Sequence, residues 1–268
     1  MQDNDDYLKP QCSHLTFSPF RRKEVWRFIT YMLVHVNLQH LIMNIVLQLL
    51  VGLPLEMSHG TKKVLIVYLC GVFSGSLATS VFDQTVFLVG ASGGAYALVA
   101  AHIATLVINW QDDCIILRQR FDRRPNTGKL HPRFHGSSIR SFRLIFVLFY
   151  IIVDTVIAVY RRFNQTCNVS FTAHFAGSIA GLLVGIIVLK NRQVHAWELK
   201  LKMFCIISFG IFILCCLFWN VSADDIFRRI NNGTYYLEGK DYTPLSCPNT
   251  IDKAIDKIIN ETNKNVAK

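Results

Sequence analysis

Six long apolar runs constrain this chain more than any other feature. They cover about Ile29–Leu53, Val64–Val81, Val86–Trp110, Phe142–Tyr160, Phe171–Leu189 and Met203–Val221. At ~1.5 Å of rise per residue, each has the length that a hydrocarbon core of ~30 Å calls for. The expected fold is therefore all-α: a polytopic membrane helical bundle with six visible transmembrane helices. Residues 1–28 form a polar segment before the first run, 29–221 the membrane domain, and 222–268 a polar tail. There is no internal repeat and no low-complexity segment.

Composition agrees. Hydrophobic residues make up 51% and charged residues 17%, with a mean hydropathy of +0.32, too apolar for an ordinary soluble domain. The net charge of +10 raises nucleic acid as a partner. The basic residues sit in loops rather than on an amphipathic face, however, so no nucleic-acid partner is expected and the lipid bilayer is. The segment 111–141 holds Arg118, Arg120, Arg123, Arg124, Lys129, Arg133 and Arg140, the segment 190–202 adds Lys190, Arg192, Lys200 and Lys202, and the loop 54–63 adds Lys62 and Lys63. All three fall on one side of the membrane, which the positive-inside rule makes cytosolic. Four sequons, at Asn164, Asn168, Asn232 and Asn260, fall on the opposite side.

That topology puts the N-terminus outside. Yet residues 1–28 carry a basic cluster, Arg21, Arg22, Lys23 and Arg27, with no apolar signal core. An upstream span, missing from this chain, would resolve the conflict and is expected in the full transcript. Of the eight cysteines, Cys70, Cys205, Cys215 and Cys216 lie in apolar runs and read as small buried residues. Cys114 falls in a basic loop. Cys12, Cys167 and Cys247 lie in the other set of hydrophilic segments, where a disulfide is open but not deducible. No spacing fits a metal site, and no cofactor is expected.

Polar side chains inside apolar spans are costly and mark cavities or partners. The third run opens on Gly90-Ala91-Ser92-Gly93-Gly94-Ala95-Tyr96. Bare backbone beside a hydroxyl allows close approach and tight turns, and N–H groups at a helix start attract negative charge. The plain alternative is a helix-packing patch of small residues. The fifth run carries His174, followed by Gly177, Gly181 and Gly185 on one face; the third has Gly93, Ala97 and Ala101 at the same spacing. Two such faces pack closely. Both runs enter from the sequon side, and Ser92 and His174 lie at a similar depth, ~6–9 Å in. A serine and histidine in hydrogen-bond reach make an activated nucleophile. Asp154 lies too deep and Asp83 sits in a loop, so the expectation is a dyad without an acid. Tyr96, one turn below Ser92 on the same face, can hold the imidazole by ring contact.

The first run adds His40 and Asn44, four apart and so on one helix face. Both can donate hydrogen bonds to an oxyanion, joined by the Ser92 N–H. His35, turned off that face, has either a structural hydrogen bond or a site role. His102 reads as structural. Each histidine and Asn44 has the plainer reading of a helix-packing hydrogen bond. Their coincidence at one depth on three spans favours a site.

Taken together these motifs resemble the rhomboid intramembrane serine proteases, and most nearly the animal rhomboid-related group. Glu24-Val-Trp26-Arg27 resembles the loop before that family's second helix; His35, His40 and Asn44 keep its spacing within that helix; Gly90-Ala-Ser92-Gly93 with Tyr96 resembles the nucleophile motif; Ala173-His174-Phe-Ala-Gly177 with Gly181 resembles the histidine helix. The resemblance covers about residues 20–221. It implies Ser92 as nucleophile and His174 as general base. It also implies His40, Asn44 and the Ser92 N–H as oxyanion contacts, with Tyr96 stacked on His174. The substrates it implies are single-span membrane proteins, such as EGF-type growth-factor precursors, cut within or beside the membrane. The implied location is a secretory-pathway membrane (Golgi, endosome or plasma membrane), with the site toward the lumen or exterior. The fourth run corresponds to the family's mobile lateral gate. Enzymes of this type have seven spans, against six visible here. The competing expectations are a catalytically silent rhomboid-like protein that binds and routes membrane clients, and a channel or transporter. The last is disfavoured by the lack of inverted repeats.

Overall fold

The computed structural model describes residues 13–18, 21–83, 86–108, 149, 152–153, 156, 171–191, 196–228, 235–237 and 240–242. It forms a polytopic helical bundle, and the chain divides into two compact units, Met1–Val221 and Ser222–Lys268. The first unit holds a short helix α1, Arg27–Thr30, a 3-10 turn, Tyr31–Leu33, and then four longer helices: α2, Leu38–His59; α3, Thr61–Phe82; α4, Ser92–Ile108; and α5, Phe171–Val188. The last described helix, α6, runs Ala196–Arg228. The second unit contains a two-stranded antiparallel hairpin, β1 Tyr235–Leu237 and β2 Lys240–Tyr242.

Six spans overstates what the structure describes. Among the described residues, four helices are long and apolar enough to cross a membrane: α2, α3, α5 and the Ala196–Ser222 portion of α6. The third expected run is shorter as a helix, 17 residues in α4, because Val86–Ala91 is not helical. The fourth run lies largely outside the described residues, although Phe149, Ile152, Val153 and Val156 are helical. The basic segment 111–141, the four sequons and Cys12, Cys114, Cys167 and Cys247 are also outside them. The four described cysteines are free.

The first run also begins later than its hydropathy suggests. Val34 is extended (φ −100°, ψ 132°), and so is Asn37 (φ −151°, ψ 170°), whose side chain caps α2 by accepting the His40 N–H at 2.8 Å. Side-chain capping of this kind satisfies a first-turn donor and sets the helix start. At the other end α2 continues through Pro54 to His59. Proline withholds one backbone donor and its ring crowds the carbonyl four residues back, yet the helix runs on past it. Gly60, at φ +90°, then makes the turn into α3.

α3 is the central helix of the described residues, largely enclosed by its neighbours, whereas α6 is mostly uncovered. α4 and α5 pack on it and on each other with backbone touching backbone. A Cβ on Gly71 would strike the Ala97 side chain, one on Gly177 the Gly93 backbone, and one on Gly181 the Ala97 backbone. Small residues on both faces are what permit this approach. Leu47, Val51, Leu55, Val67, Ala97 and Leu98 fill one cluster of the core. Phe17, Phe28, Tyr31, Val72, Leu77 and Ala173 fill another. The described residues before α2 are therefore part of the bundle. Phe17 pairs with Leu88 in an antiparallel bridge, Ser76 Oγ donates to the Phe28 carbonyl at 2.7 Å, and the buried Arg27 guanidinium is held by Glu24 and the carbonyls of Ser13 and Thr16.

Candidate functional site

The site is built where α4 starts. Gly90 sits at φ +103°, a conformation that side-chain-bearing residues rarely adopt. Its N–H donates to the Tyr31 carbonyl at 3.2 Å. Two residues later Ser92 opens α4, and the Ala95 N–H closes the first turn onto the Ala91 carbonyl at 3.1 Å. Ser92 is thus a first-turn residue, half-buried, next to N–H groups that have no acceptor within the helix. The dipole there favours negative charge.

His174 lies in the first turn of α5, which the Gly177–Gly93 and Gly181–Ala97 contacts press against α4. Its Nε2 is 2.8 Å from Ser92 Oγ. The Tyr96 ring, one turn along α4 from Ser92, lies parallel to the imidazole, with centroids 4.4 Å apart and planes 7° apart. The ring contact limits the imidazole's rotation, and the hydrogen bond aims one nitrogen at the hydroxyl. Such a pair can deprotonate the serine as it attacks an electrophile and then deliver the proton to a leaving group.

His40 comes to the same place from α2. Its ring nitrogen Nε2 lies 3.0 Å, and Cε1 2.5 Å, from where a Cβ on Gly90 would stand. His35 joins it edge-on, with ring centroids 5.2 Å apart at 66°; His35 Nε2 is buried with no hydrogen-bond partner among the described residues. Asn44 is on the same face as His40 but differently engaged. It is buried, and its Nδ2 donates to the His40 carbonyl at 2.8 Å. That bond fixes the amide on the helix that carries His40. Gly93 lies against Gly71, Gly177 and the Tyr31 hydroxyl. His102 stands apart from this group, its carbonyl accepting from Thr105 Oγ1 at 2.8 Å.

Of the carboxylates considered from sequence, Asp83 accepts from Thr172 Oγ1 at 3.3 Å, and Asp154 lies outside the described residues. Among the described residues, no group of three or more His, Cys, Asp or Glu is arranged to hold a metal ion. Two contributors are not singled out by sequence reasoning. Tyr31 looks like one more aromatic in an apolar run, and Asn37 carries the capping signal of an Asn ahead of a helical pattern.

Comparison with known proteins adds an independent line. A model of the rhomboid domain matches residues 22–191. The human Rhomboid-related protein 3 is 36% identical over 222 residues, 81% of this chain and 49% of that protein. The mouse Rhomboid-related protein 2 is 40% identical over 179 residues, 66% of this chain and 52% of that protein. A Caenorhabditis elegans protein named Inactive rhomboid-related protein 2 is 30% identical over 210 residues, 78% of this chain and 53% of its own. The chain spans about half the length of these relatives.

Proposed function

This chain belongs to the rhomboid family, and on that premise we propose that it is an intramembrane serine endopeptidase working through a Ser92–His174 dyad. The observation that carries the reading is the 2.8 Å approach of His174 Nε2 to Ser92 Oγ, with Tyr96 stacked on the imidazole. Ser92 attacks the scissile carbonyl of a single-span membrane protein while His174 takes its proton. The tetrahedral oxyanion forms beside the first turn of α4, where the Ser92 N–H and the His40 ring can donate to it. Asn44 supports this by tying its amide to the His40 carbonyl or by turning toward the oxyanion. His174 then protonates the leaving amine, and water releases the acyl group by the reverse sequence. Gly90 and Gly93 keep bare backbone around the nucleophile, and His35 backs the His40 ring. In this reading the site faces the lumen or exterior of a secretory-pathway membrane, and EGF-type precursors are the model substrates.

Membership alone does not decide activity, since one relative is named inactive. A silent client-binding role is therefore the second reading. The test is co-expression with a tagged single-span substrate, comparing the wild-type chain with Ser92→Ala. Product from the first and none from the second supports proteolysis. Equal product removes it, and an unchanged shift of client location by both favours binding.

A further inference from the structure

We propose that Tyr31 is a positioning residue that keeps Ser92 and His174 in register, an inference that rests on reading those two as a working pair. Tyr31 is 1% exposed and sits in the 3-10 turn that precedes α2. It holds the site at two points. Its backbone carbonyl accepts the Gly90 N–H at 3.2 Å, fixing the turn that delivers Ser92. Its hydroxyl donates to the Val72 carbonyl of α3 at 2.8 Å. That carbonyl already has an i+4 donor within its helix, so the second bond is an addition to the helix rather than part of it.

The hydroxyl stands at the meeting point of three helices. It lies 3.1 Å from where a Gly75 Cβ would be on α3 and 3.0 Å from where a Gly93 Cβ would be on α4. The Ala173 carbonyl of α5 is 3.2 Å from the same Gly75 position and 3.7 Å from the Gly93 position. Gly93 follows Ser92 in the chain, and Ala173 precedes His174. The hydroxyl therefore lies beside the residue that follows Ser92, in a narrow space that the carbonyl of the residue before His174 also borders. A buried hydroxyl that loses its partner is costly, so the bond anchors Tyr31 to α3, and with it the Gly90 turn that its carbonyl holds.

The test reads the pairing itself and does not need cleavage. Ser92→Cys puts a thiol in place of the hydroxyl, and a thiol beside an imidazole ionises below the ordinary range. In the full chain in detergent, alkylation of the thiol introduced at position 92 by iodoacetamide is followed against pH by mass spectrometry of its peptide. The Ser92→Cys change is made alone and combined with Tyr31→Phe. Phe keeps the ring and removes one oxygen. Gly75→Ala, whose methyl would meet both this hydroxyl and the Ala173 carbonyl, is the second variant. The midpoint is expected to rise by about one pH unit, a roughly tenfold smaller thiolate fraction, in both combinations. In the Ser92 background, Tyr31→Phe is expected to lower kcat for a single-span substrate by about tenfold with KM within about twofold, as fits a group acting only through the reacting pair. An unchanged midpoint in Tyr31→Phe overturns the proposal, including where only the melting temperature falls or where Gly75→Ala alone shifts it. A shifted midpoint, where the chain with Ser92 intact cleaves nothing, sinks the protease reading and leaves the positioning role standing.

Discussion

Two glycines with positive φ separate the cost of backbone strain from the cost of disturbing the site. Gly90 has φ +103° and Gly60 φ +90°. Replacing either with alanine forces a side-chain-bearing residue into a region that costs about 1–3 kcal/mol. Around Gly60 no described residue comes within 4 Å of the new methyl, so strain is the whole effect. At Gly90 the methyl would stand 2.5 Å from His40 Cε1 and 3.0 Å from Nε2. An ordinary carbon contact begins at about 3.4 Å, so the imidazole must retreat by roughly 0.9 Å or the Ser92 turn must move instead. In the mechanism proposed above, either response displaces one oxyanion donor from the other. Losing one such donor costs about 2.7–4 kcal/mol of transition-state stabilisation, or ~10²–10³ in kcat. Thermal unfolding in detergent and kcat for a single-span substrate are measured on both variants. Gly60→Ala is expected to lose stability and keep kcat in the folded fraction. Gly90→Ala is expected to lose more stability, because the clash adds to the strain, and most of its kcat. Wild-type kcat in folded Gly90→Ala would refute the placement of His40 at the reaction centre.

The ring stack makes a second separation: Tyr96→Phe keeps the parallel contact with His174 and is expected to retain most activity. Tyr96→Leu removes an aromatic pair worth about 0.5–1.5 kcal/mol and is expected to lower kcat by several-fold to roughly tenfold, read from initial cleavage rates. Helix spacing makes a third. Gly181→Ala puts a methyl into the Ala97 backbone, so α5 must back away from α4, and cleavage is expected to fall more than about tenfold with a lower melting temperature. Gly210→Ala in α6 is the control: no described residue lies within 4 Å of the added methyl, and the change is expected to be neutral or to stabilise by up to about 1 kcal/mol.

Most of the bundle, and the partners brought together at its site, are legible from residues alone, but the boundaries are not. Hydropathy reports which residues suit hydrocarbon; it is silent on where backbone leaves helical geometry. The run from Ile29 therefore conceals a 3-10 turn and an extended link before Asn37. The run from Met203 misses seven helical residues, from Ala196, because Glu198, Lys200 and Lys202 lower the local hydropathy without breaking the helix. Glu198 is buried, accepting from Asn191 Nδ2 at 2.5 Å, a contact with no periodic signal. Spacing puts Asn44 on the His40 face, yet cannot show that its amide bonds back to the His40 carbonyl. By contrast, Ser92, His174 and Tyr96 are readable together because helix periodicity and small-residue faces fix both depth and direction.

The segment Val86–Ala91 shows why an apolar run can hide a loop. Non-helical backbone among membrane helices is tolerated only where protein satisfies its hydrogen bonds. Here Phe17 and Tyr31, both ahead of α2, do so. Phe17 N–H donates to the Leu88 carbonyl at 3.2 Å, Leu88 N–H returns to the Phe17 carbonyl at 3.0 Å, and Gly90 N–H goes to the Tyr31 carbonyl. The apolar side chains of Val86, Leu88 and Ala91 are buried at the same time. The loop can therefore be as hydrophobic as a helix and still end short of one, which leaves Ser92 at a helix start instead of in a helix middle. A mid-helix serine would have its N–H tied to the preceding turn. Only at the first turn does the same residue offer both a hydroxyl and a backbone donor that the helix does not use. Phe17 of the polar N-terminal segment and Tyr31 of the first apolar run together make that start possible.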